Sequence, residues 1–260
     1  MALVIAEIGV NHNGDMDLAI ELMAVAEECG ADAVKFQLFD PAKLEHPGPR
    51  REMLKDLALT CKQMADLKRR CRVRFICTPF DPDSARFLID DLNVTVKIGS
   101  ADLDNVVLMN AVRGADVILS TGMATMGMVA DAVVIVGTAS LLHCVSSYPT
   151  PVDQVNLLAM NELKVFGLPV GLSDHTKSVV VPAVAVGMGA AIIEKHITLD
   201  CGMEGPDHCA SMEPYEFAEM VRNVREAERA LGDGIKKPSP CEARVIKIAR
   251  ERAEWRSRTG

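Results

Sequence analysis

Two lysines stand inside apolar runs that read as strands: Lys35 in Ala33-Val-Lys-Phe-Gln37 and Lys97 in Val94-Thr-Val-Lys-Ile-Gly-Ser100. A lysine in such a place either pairs with a carboxylate or binds an anion, because an unpaired buried ammonium is too costly to keep. Glu7 and Glu194, also at the ends of apolar runs, are the candidate partners. The hydroxyls of Ser100, Ser120 and Ser173 stand at the ends of such runs, Ser100 in the same run as Lys97, and together with the lysines they suit a phosphate plus a carboxylate. Desolvation between strands would also suit a lysine for Schiff-base chemistry. His175 and His196 close two consecutive runs, so both imidazoles can reach one ion. Two histidines leave coordination positions open for water and substrate, the catalytic arrangement. Nitrogen ligands with carboxylates nearby fit Mn²⁺, Fe²⁺, Co²⁺ or Zn²⁺, and Mg²⁺ less well. His12 and His208 are weaker candidates, His46 beside Pro47 reads as an exposed loop residue, and His143 as a core or supporting group.

These residues need elements that bring them together. Short β-branched runs predict eight strands: Val4–Gly9, Ala33–Phe36, Val73–Thr78, Val94–Ile98, Asp116–Ser120, Ser140–Cys144, Pro169–Leu172 and Ala191–Lys195. Their nearly continuous apolar character suits strands covered on both faces. Helical spacing lies between them. Leu18, Leu22, Val25 and Cys29 recur after the turn Asn13-Gly14-Asp15, and Phe217, Met220, Val221, Val224 and Leu231 after Pro214. Alternation of this kind means parallel pairing and right-handed crossovers. The fold class is α/β, and eight units in 260 residues favour a closed (β/α)8 barrel of the TIM type over an open doubly wound sheet.

In such a barrel the C-terminal strand ends share one mouth. The polar residues there are Glu7; Lys35 and Gln37; Thr78; Lys97 and Ser100; Ser120 and Thr121; His143, Ser146 and Tyr148; Ser173, Asp174 and His175; Glu194 and His196. The barrel is expected over residues 1–235. From Lys236 the chain changes: Lys-Lys-Pro-Ser-Pro breaks structure, and a basic linker and helix follow over 236–260, with eight Lys/Arg and three Glu. That helix either docks Val245, Ile248 and Trp255 on a neighbour or serves as a basic arm.

Composition excludes several classes. Lys+Arg 28 against Asp+Glu 36 gives a net charge of −8, unsuited to nucleic acid or anionic membrane surfaces. No apolar run approaches the ~18 residues a membrane helix needs. The start, Met1-Ala-Leu-Val-Ile, lacks the basic segment and cleavage site of a signal peptide. Eight cysteines without a CxxC pair read as reduced thiols of a cytoplasmic protein, not as a zinc site.

At these residues the chain resembles the sialic acid synthase family, the N-acylneuraminate synthases. The matching strings are Ile5-Ala-Glu-Ile-Gly-Val-Asn-His-Asn-Gly14, Gly30-Ala-Asp-Ala-Val-Lys-Phe-Gln37, Thr78-Pro-Phe-Asp81, Lys97-Ile-Gly-Ser100 and Leu119-Ser-Thr-Gly-Met123. Leu142-His-Cys-Val-Ser-Ser-Tyr-Pro149, Gly171-Leu-Ser-Asp-His-Thr176, Glu194-Lys-His196, Gly205-Pro-Asp-His208 and Leu231-Gly-Asp-Gly-Ile-Lys-Lys-Pro238 continue in order. The resemblance implies a (β/α)8 barrel that condenses phosphoenolpyruvate with an N-acylated amino sugar, such as N-acetylmannosamine, to a sialic-acid-like α-keto acid. Phosphate leaves by C–O cleavage, and a divalent metal assists, Mn²⁺ first, with Mg²⁺ and Co²⁺ as alternatives. It implies that His175 and His196 hold the metal, and that Lys35, Lys97, Ser100, Ser120, Ser146 and Ser173 hold phosphoenolpyruvate. Glu7, Gln37, Tyr148 and Asp207 would face the sugar, with Glu194 near the metal.

Three departures bear on that expectation. The family carries Glu where this chain has Asp102, a carboxylate one methylene shorter, which bears on the attacking water. The excursion from Leu38 to Arg51 is short for the family. Members continue into a small antifreeze-protein-like domain that covers a partner's site, and on this reading none is expected within the 260 residues. The expected partners are therefore phosphoenolpyruvate and a sugar aldehyde, with a homodimer or a separate protein supplying the cover. The alternatives are a smaller or phosphorylated aldose as acceptor, or a non-catalytic ligand-binding barrel that partners a complete synthase.

Overall fold

Successive side chains of a strand point to opposite faces, and in a closed barrel one face becomes the interior. A computed structural model describes residues 1–259. Its eight strands are β1 (Leu3–Gly9), β2 (Ala33–Leu38), β3 (Arg74–Pro79), β4 (Thr95–Ile98), β5 (Val117–Ser120), β6 (Ser140–Cys144), β7 (Val170–Asp174) and β8 (Ile192–His196). They pair in sequence order, all parallel, and β8 returns to β1 to close the barrel. All eight expected strands are present, their ends displaced by at most two residues.

The helices are α1 (Met16–Glu28), α2 (Pro41–Leu44), α3 (Pro49–Leu57), α4 (Cys61–Arg70), α5 (Pro82–Arg86), α6 (Val106–Ala111), α7 (Met126–Val136), α8 (Met160–Leu163), α9 (Val181–Gly187), α10 (Pro214–Leu231) and α11 (Ala243–Thr259). The α1 start follows from Asp15, whose carboxylate accepts the N–H groups of Asp17 and Leu18. Thr60 and Gln63 cap α4 reciprocally. The α10 stripe Phe217, Met220, Val221 and Val224 is buried as its spacing requires, but Leu231 is exposed. A compact body spans Met1–Glu228, and the described residues from Arg229 onward form a second unit. Within that unit α11 buries none of its residues, Val245, Ile248 and Trp255 included. Among the described residues no helix is long and apolar enough to cross a membrane.

Two cores result from the strand alternation. Outward residues such as Val4, Ala6, Ile8, Val34 and Phe36 pack with the helix stripes in one large apolar layer. Inward residues Ile5, Ala33, Ile76, Ile118, Leu142 and Ile192 form a second, separate cluster. One step of two residues further along the strands, the interior turns from apolar to charged: Ile5 gives way to Glu7, Ala33 to Lys35, and Ile192 to Glu194. The inner apolar layer is thus the floor under the mouth.

Gly171 shows how tightly that floor is packed. A β-carbon there would lie 2.3 Å from the Ile192 carbonyl oxygen and 2.8 Å from Leu142 Cδ2. The backbone oxygen cannot yield as a side-chain tip would. Gly171→Ala is expected to destabilise the barrel by about 1–3 kcal/mol, as overpacked cores do. Urea unfolding checks this, and an unchanged midpoint would contradict the packing described.

Candidate active site

The charged layer opens into a cavity of about 360 Å³ at the C-terminal ends of the strands. Its wall contains the residues expected to bind or act on substrate and metal: Glu7, Lys35, Gln37, Lys97, Ser100, Asp102, Ser120, Ser146, Tyr148, Ser173, His175, Glu194, His196 and Asp207. The deepest of them form one network. Lys35 lies 2.6 Å from Glu7 and donates to Thr78 Oγ1 at 3.1 Å. Gln37 Nε2 donates to the other Glu7 oxygen at 3.0 Å. Lys97 Nζ donates to Glu194 Oε1 at 2.5 Å, and Ser173 Oγ to the same oxygen at 3.1 Å. Lys35 stands 3.9 Å from that oxygen and so links the two pairs. Of the readings open for the lysines, the carboxylate pairing is the one adopted, with N–H groups left over on each ammonium for an anion.

Three buried polar atoms on this wall have no partner: Ser120 Oγ, Glu194 Oε2 and His196 Nδ1. Leaving such atoms unpaired is costly, so their clustering at one cavity marks a ligand site. Beside them lies a hydroxyl-lined nook. The Gly122 N–H donates to Ser100 Oγ at 3.0 Å. A β-carbon on Gly122 would fall 2.4 Å from Ser146 Oγ and 2.8 Å from Ser100 Oγ. Only glycine leaves both hydroxyls room.

The electrostatics separate the two buried glutamates. Burial pushes the Glu7 carboxyl up, and its neighbour Glu194 adds to this, against the pull of Lys35 and Lys97. Burial would raise Glu194 as well, but Lys35 and Lys97 reverse that and hold it at about 2. Adjacent carboxyls pushed apart in this way divide into a proton carrier and a permanent anion. Burial also raises Asp102, whose Oδ1 accepts from Asn105 at 3.1 Å.

His175 and His196 extend from β7 and β8 with ring centroids 5.6 Å apart. His175 Nδ1–H donates to the Val145 carbonyl at 2.8 Å, which leaves Nε2 as a free lone pair. Desolvation, helped by His196 and Lys97, lowers His175 to about 3, and burial lowers His196. Both rings are therefore neutral at ordinary pH, the state in which imidazole binds a metal. Tyr148 lies against both, with centroids at 4.1 and 5.9 Å, and Asp207 Oδ2 is 3.9 Å from His196 Nδ1. Among the described residues no third His, Cys, Asp or Glu joins the pair as a cluster. The donor set fits a divalent ion held by two nitrogens, with the remaining positions left to water and substrate.

Some strand-end residues do not reach the mouth. Asp174 points outward and pairs with Lys195 at 2.8 Å. Thr121 donates to the Leu142 carbonyl, and His143 Nε2–H to Val155 at 2.7 Å. Strand alternation sends Asp174 to the outer face, between Ser173 and His175. His12 lies against Phe36, and His208 bonds Thr198 and Asn13, so neither lines the cavity. Sequence reasoning missed Cys144, Phe80, Met123 and Gly122. Cys144 was legible as the last inward residue of β6, two places beyond Leu142 in the inner core.

The Glu194 carboxylate has a pH signature. Its folded value lies below the ordinary 4.5, so its contribution to stability is present above that pH and is lost as pH falls toward 2. Glu7, shifted up, works in the opposite sense and cannot produce this loss. The stability difference between the native chain and Glu194→Gln is expected to shrink as pH falls from 4.5 to 2. Urea titrations across that range measure it, and a constant difference would contradict the assignment.

Comparison with known proteins agrees with this geometry. The model of the NeuB family matches residues 22–236. The N,N'-diacetyllegionaminic acid synthase of Campylobacter jejuni is 39% identical over 278 residues, covering 96% of this chain and 83% of that protein. The N-acetylneuraminate-9-phosphate synthase of Homo sapiens is 37% identical over 265 residues, covering 92% and 74%. The crystal structure of an N-acetylneuraminic acid (sialic acid) synthetase from Leptospira borgpetersenii serovar Hardjo-bovis, in complex with citrate, superposes with a TM-score of 0.88 at 35% identity over 96% of this chain and 91% of the other. With ordered motifs, a closed barrel and relatives along nearly its whole length, the chain belongs to the NeuB family and is an enzyme of the synthase type.

Proposed function

We propose that this chain condenses phosphoenolpyruvate with an N-acylated amino sugar in its open aldehyde form, giving a sialic-acid-like α-keto acid and phosphate. The observation that carries this reading is the convergence of Lys35, Lys97, the serine nook and the two neutral histidines on one cavity. Lys35 and Lys97 hold the carboxylate and phosphate of phosphoenolpyruvate, and Ser100, Ser120, Ser146 and Ser173 supply hydrogen bonds to its oxygens. Ser120 Oγ, buried without a partner, thereby gains one.

The wall has two lysines against the four carboxyl groups of Glu7, Asp102, Glu194 and Asp207. A substrate with a carboxylate and a phosphate of about −1.5 to −2 enters such a site only with a cation beside it. His175 and His196 would hold that ion, Mn²⁺ first, with Mg²⁺ and Co²⁺ as alternatives. When bound, it supplies Lewis-acid polarisation of the aldehyde carbonyl. C3 of phosphoenolpyruvate attacks the aldehyde carbon, and C2 acquires cationic character. Glu7, raised by burial, gives its proton to the aldehyde oxygen, while Glu194 stays anionic and steadies the developing charge at C2. Water adds at C2 and loses its proton to Asp102, whose carboxyl burial raises above its ordinary value. The tetrahedral adduct then breaks the C2–O bond to the phosphorus-bearing oxygen, the C2 hydroxyl proton passes to the departing phosphate, and the ketone remains.

The outer wall selects the acceptor. Both lysines lie at the floor, buried and paired, whereas Asp102, Asp207, Gln37 and Tyr148 face the entrance. Two acids at the entrance repel a phosphorylated sugar and accept hydroxyl and amide groups. N-acetylmannosamine and related N-acylated aldoses are therefore expected to release phosphate from phosphoenolpyruvate in the presence of Mn²⁺, and to do so faster than their phosphate esters. A colorimetric phosphate assay decides this. No release with any aldose from folded, metal-supplied protein would contradict the reaction and favour a binding barrel. Faster release with the ester would overturn the acceptor alone.

A further inference from the structure

Behind the two histidines, on the face of the β7–β8 pair opposite the cavity, lies an ion pair that touches nothing in the site. Lys195 Nζ donates to Asp174 Oδ2 at 2.8 Å, and both side chains are 1% exposed. The pair sits on the last rung of the β7–β8 ladder, whose register runs Leu172 with Ile193, Ser173 with Glu194 and Asp174 with Lys195. His175 and His196 come next, one residue beyond the point where the backbone ladder stops. Their spacing is therefore not set by backbone hydrogen bonds between the two strands.

Asp174 and Lys195 hold the chain on either side of His175. Asp174 Oδ1 accepts the Thr176 N–H at 2.9 Å, and Oδ2 accepts the Thr176 hydroxyl at 3.1 Å. Lys195 also donates to the Thr176 carbonyl. Thus the residues before and after His175 are both tied to the residue before His196. We propose that Asp174 and Lys195 are a positioning pair: they fix the separation of His175 and His196 so that both imidazoles reach one divalent ion. The proposal rests on the reading of those histidines as an ion site. Burying two charges costs several kcal/mol in desolvation, and well-packed apolar residues of similar size stabilise a fold as well or better. Stability alone does not call for an ion pair here; His196 is held in register with Glu7 on its β1 side, and what the pair adds is the link across to His175, where the β7–β8 ladder has stopped.

The test separates positioning from stability. The double variant Asp174→Leu/Lys195→Met replaces the pair with apolar groups, and Mn²⁺ binding is followed by the electron paramagnetic resonance signal of free Mn²⁺, with thermal unfolding measured alongside. The expected result is a folded protein of near-native Tm whose Mn²⁺ Kd rises about tenfold or more, the loss typical of removing groups that orient metal ligands. A folded double variant with unchanged Mn²⁺ affinity overturns the proposal. Should the double variant not fold, Thr176→Val removes the hydroxyl tie to Asp174 together with the Ser178 N–H bond to the same oxygen, leaving the ion pair in place; weakened Mn²⁺ binding at unchanged Tm supports the proposal, and unchanged binding overturns it. An unaltered chain that binds no Mn²⁺, or binds it equally after His175→Ala, sinks the ion site itself and this proposal with it.

Discussion

The arrangement depends on the pairing of two buried lysines with two buried glutamates inside a closed barrel. Lys35 with Glu7 and Lys97 with Glu194 put ammonium and carboxyl groups within 2.6 and 2.5 Å of one another where water is nearly excluded. Either lysine alone would carry a large desolvation penalty, and so would either glutamate. Paired, they form a charged stratum directly above the apolar layer of Ile5, Ile76, Ile118, Leu142 and Ile192. The pairing gives the ammonium groups fixed positions before any substrate arrives. Preorganisation of this kind favours catalysis, because little reorganisation is left for the reaction step.

The same stratum sets the division of labour. Glu194 feels both lysines and remains an anion, while Glu7 is dominated by burial and drifts toward the proton-bearing form. Two residues of one type, on neighbouring strands, acquire different chemistry from their surroundings alone. The histidines differ again: desolvation holds both below the ordinary imidazole value, the direction that favours the neutral, lone-pair-bearing ring. Ammonium, carboxyl and imidazole groups thus sit side by side on the strand ends, each tuned by its neighbours.

Much of this was legible in the sequence. Eight apolar runs fixed the strand count, and the family strings located the residues that share the mouth. Charged residues inside apolar runs were the strongest signal, because only a paired or liganded site tolerates them. What the runs did not reveal was the face on which each residue lies. Asp174 reads as a strand-end polar group of the mouth yet lies on the outer face, paired with Lys195, since one step along a strand reverses the direction of a side chain. Cys144 passed as an apolar filler although it lies two residues beyond an inner-core leucine. Gly122 was invisible because its role is the space left for Ser100 and Ser146, which depends on chain segments far apart in sequence.

The central claim is that the paired lysines and the two imidazoles serve one bound substrate and one ion. Diffraction from a crystal soaked with Mn²⁺ and phosphoenolpyruvate, collected at the manganese edge, addresses it most directly. The account predicts an anomalous peak shared by His175 and His196, with the phosphate and carboxylate of phosphoenolpyruvate against Lys35 and Lys97. A manganese peak elsewhere, or phosphoenolpyruvate bound away from both lysines, would contradict it.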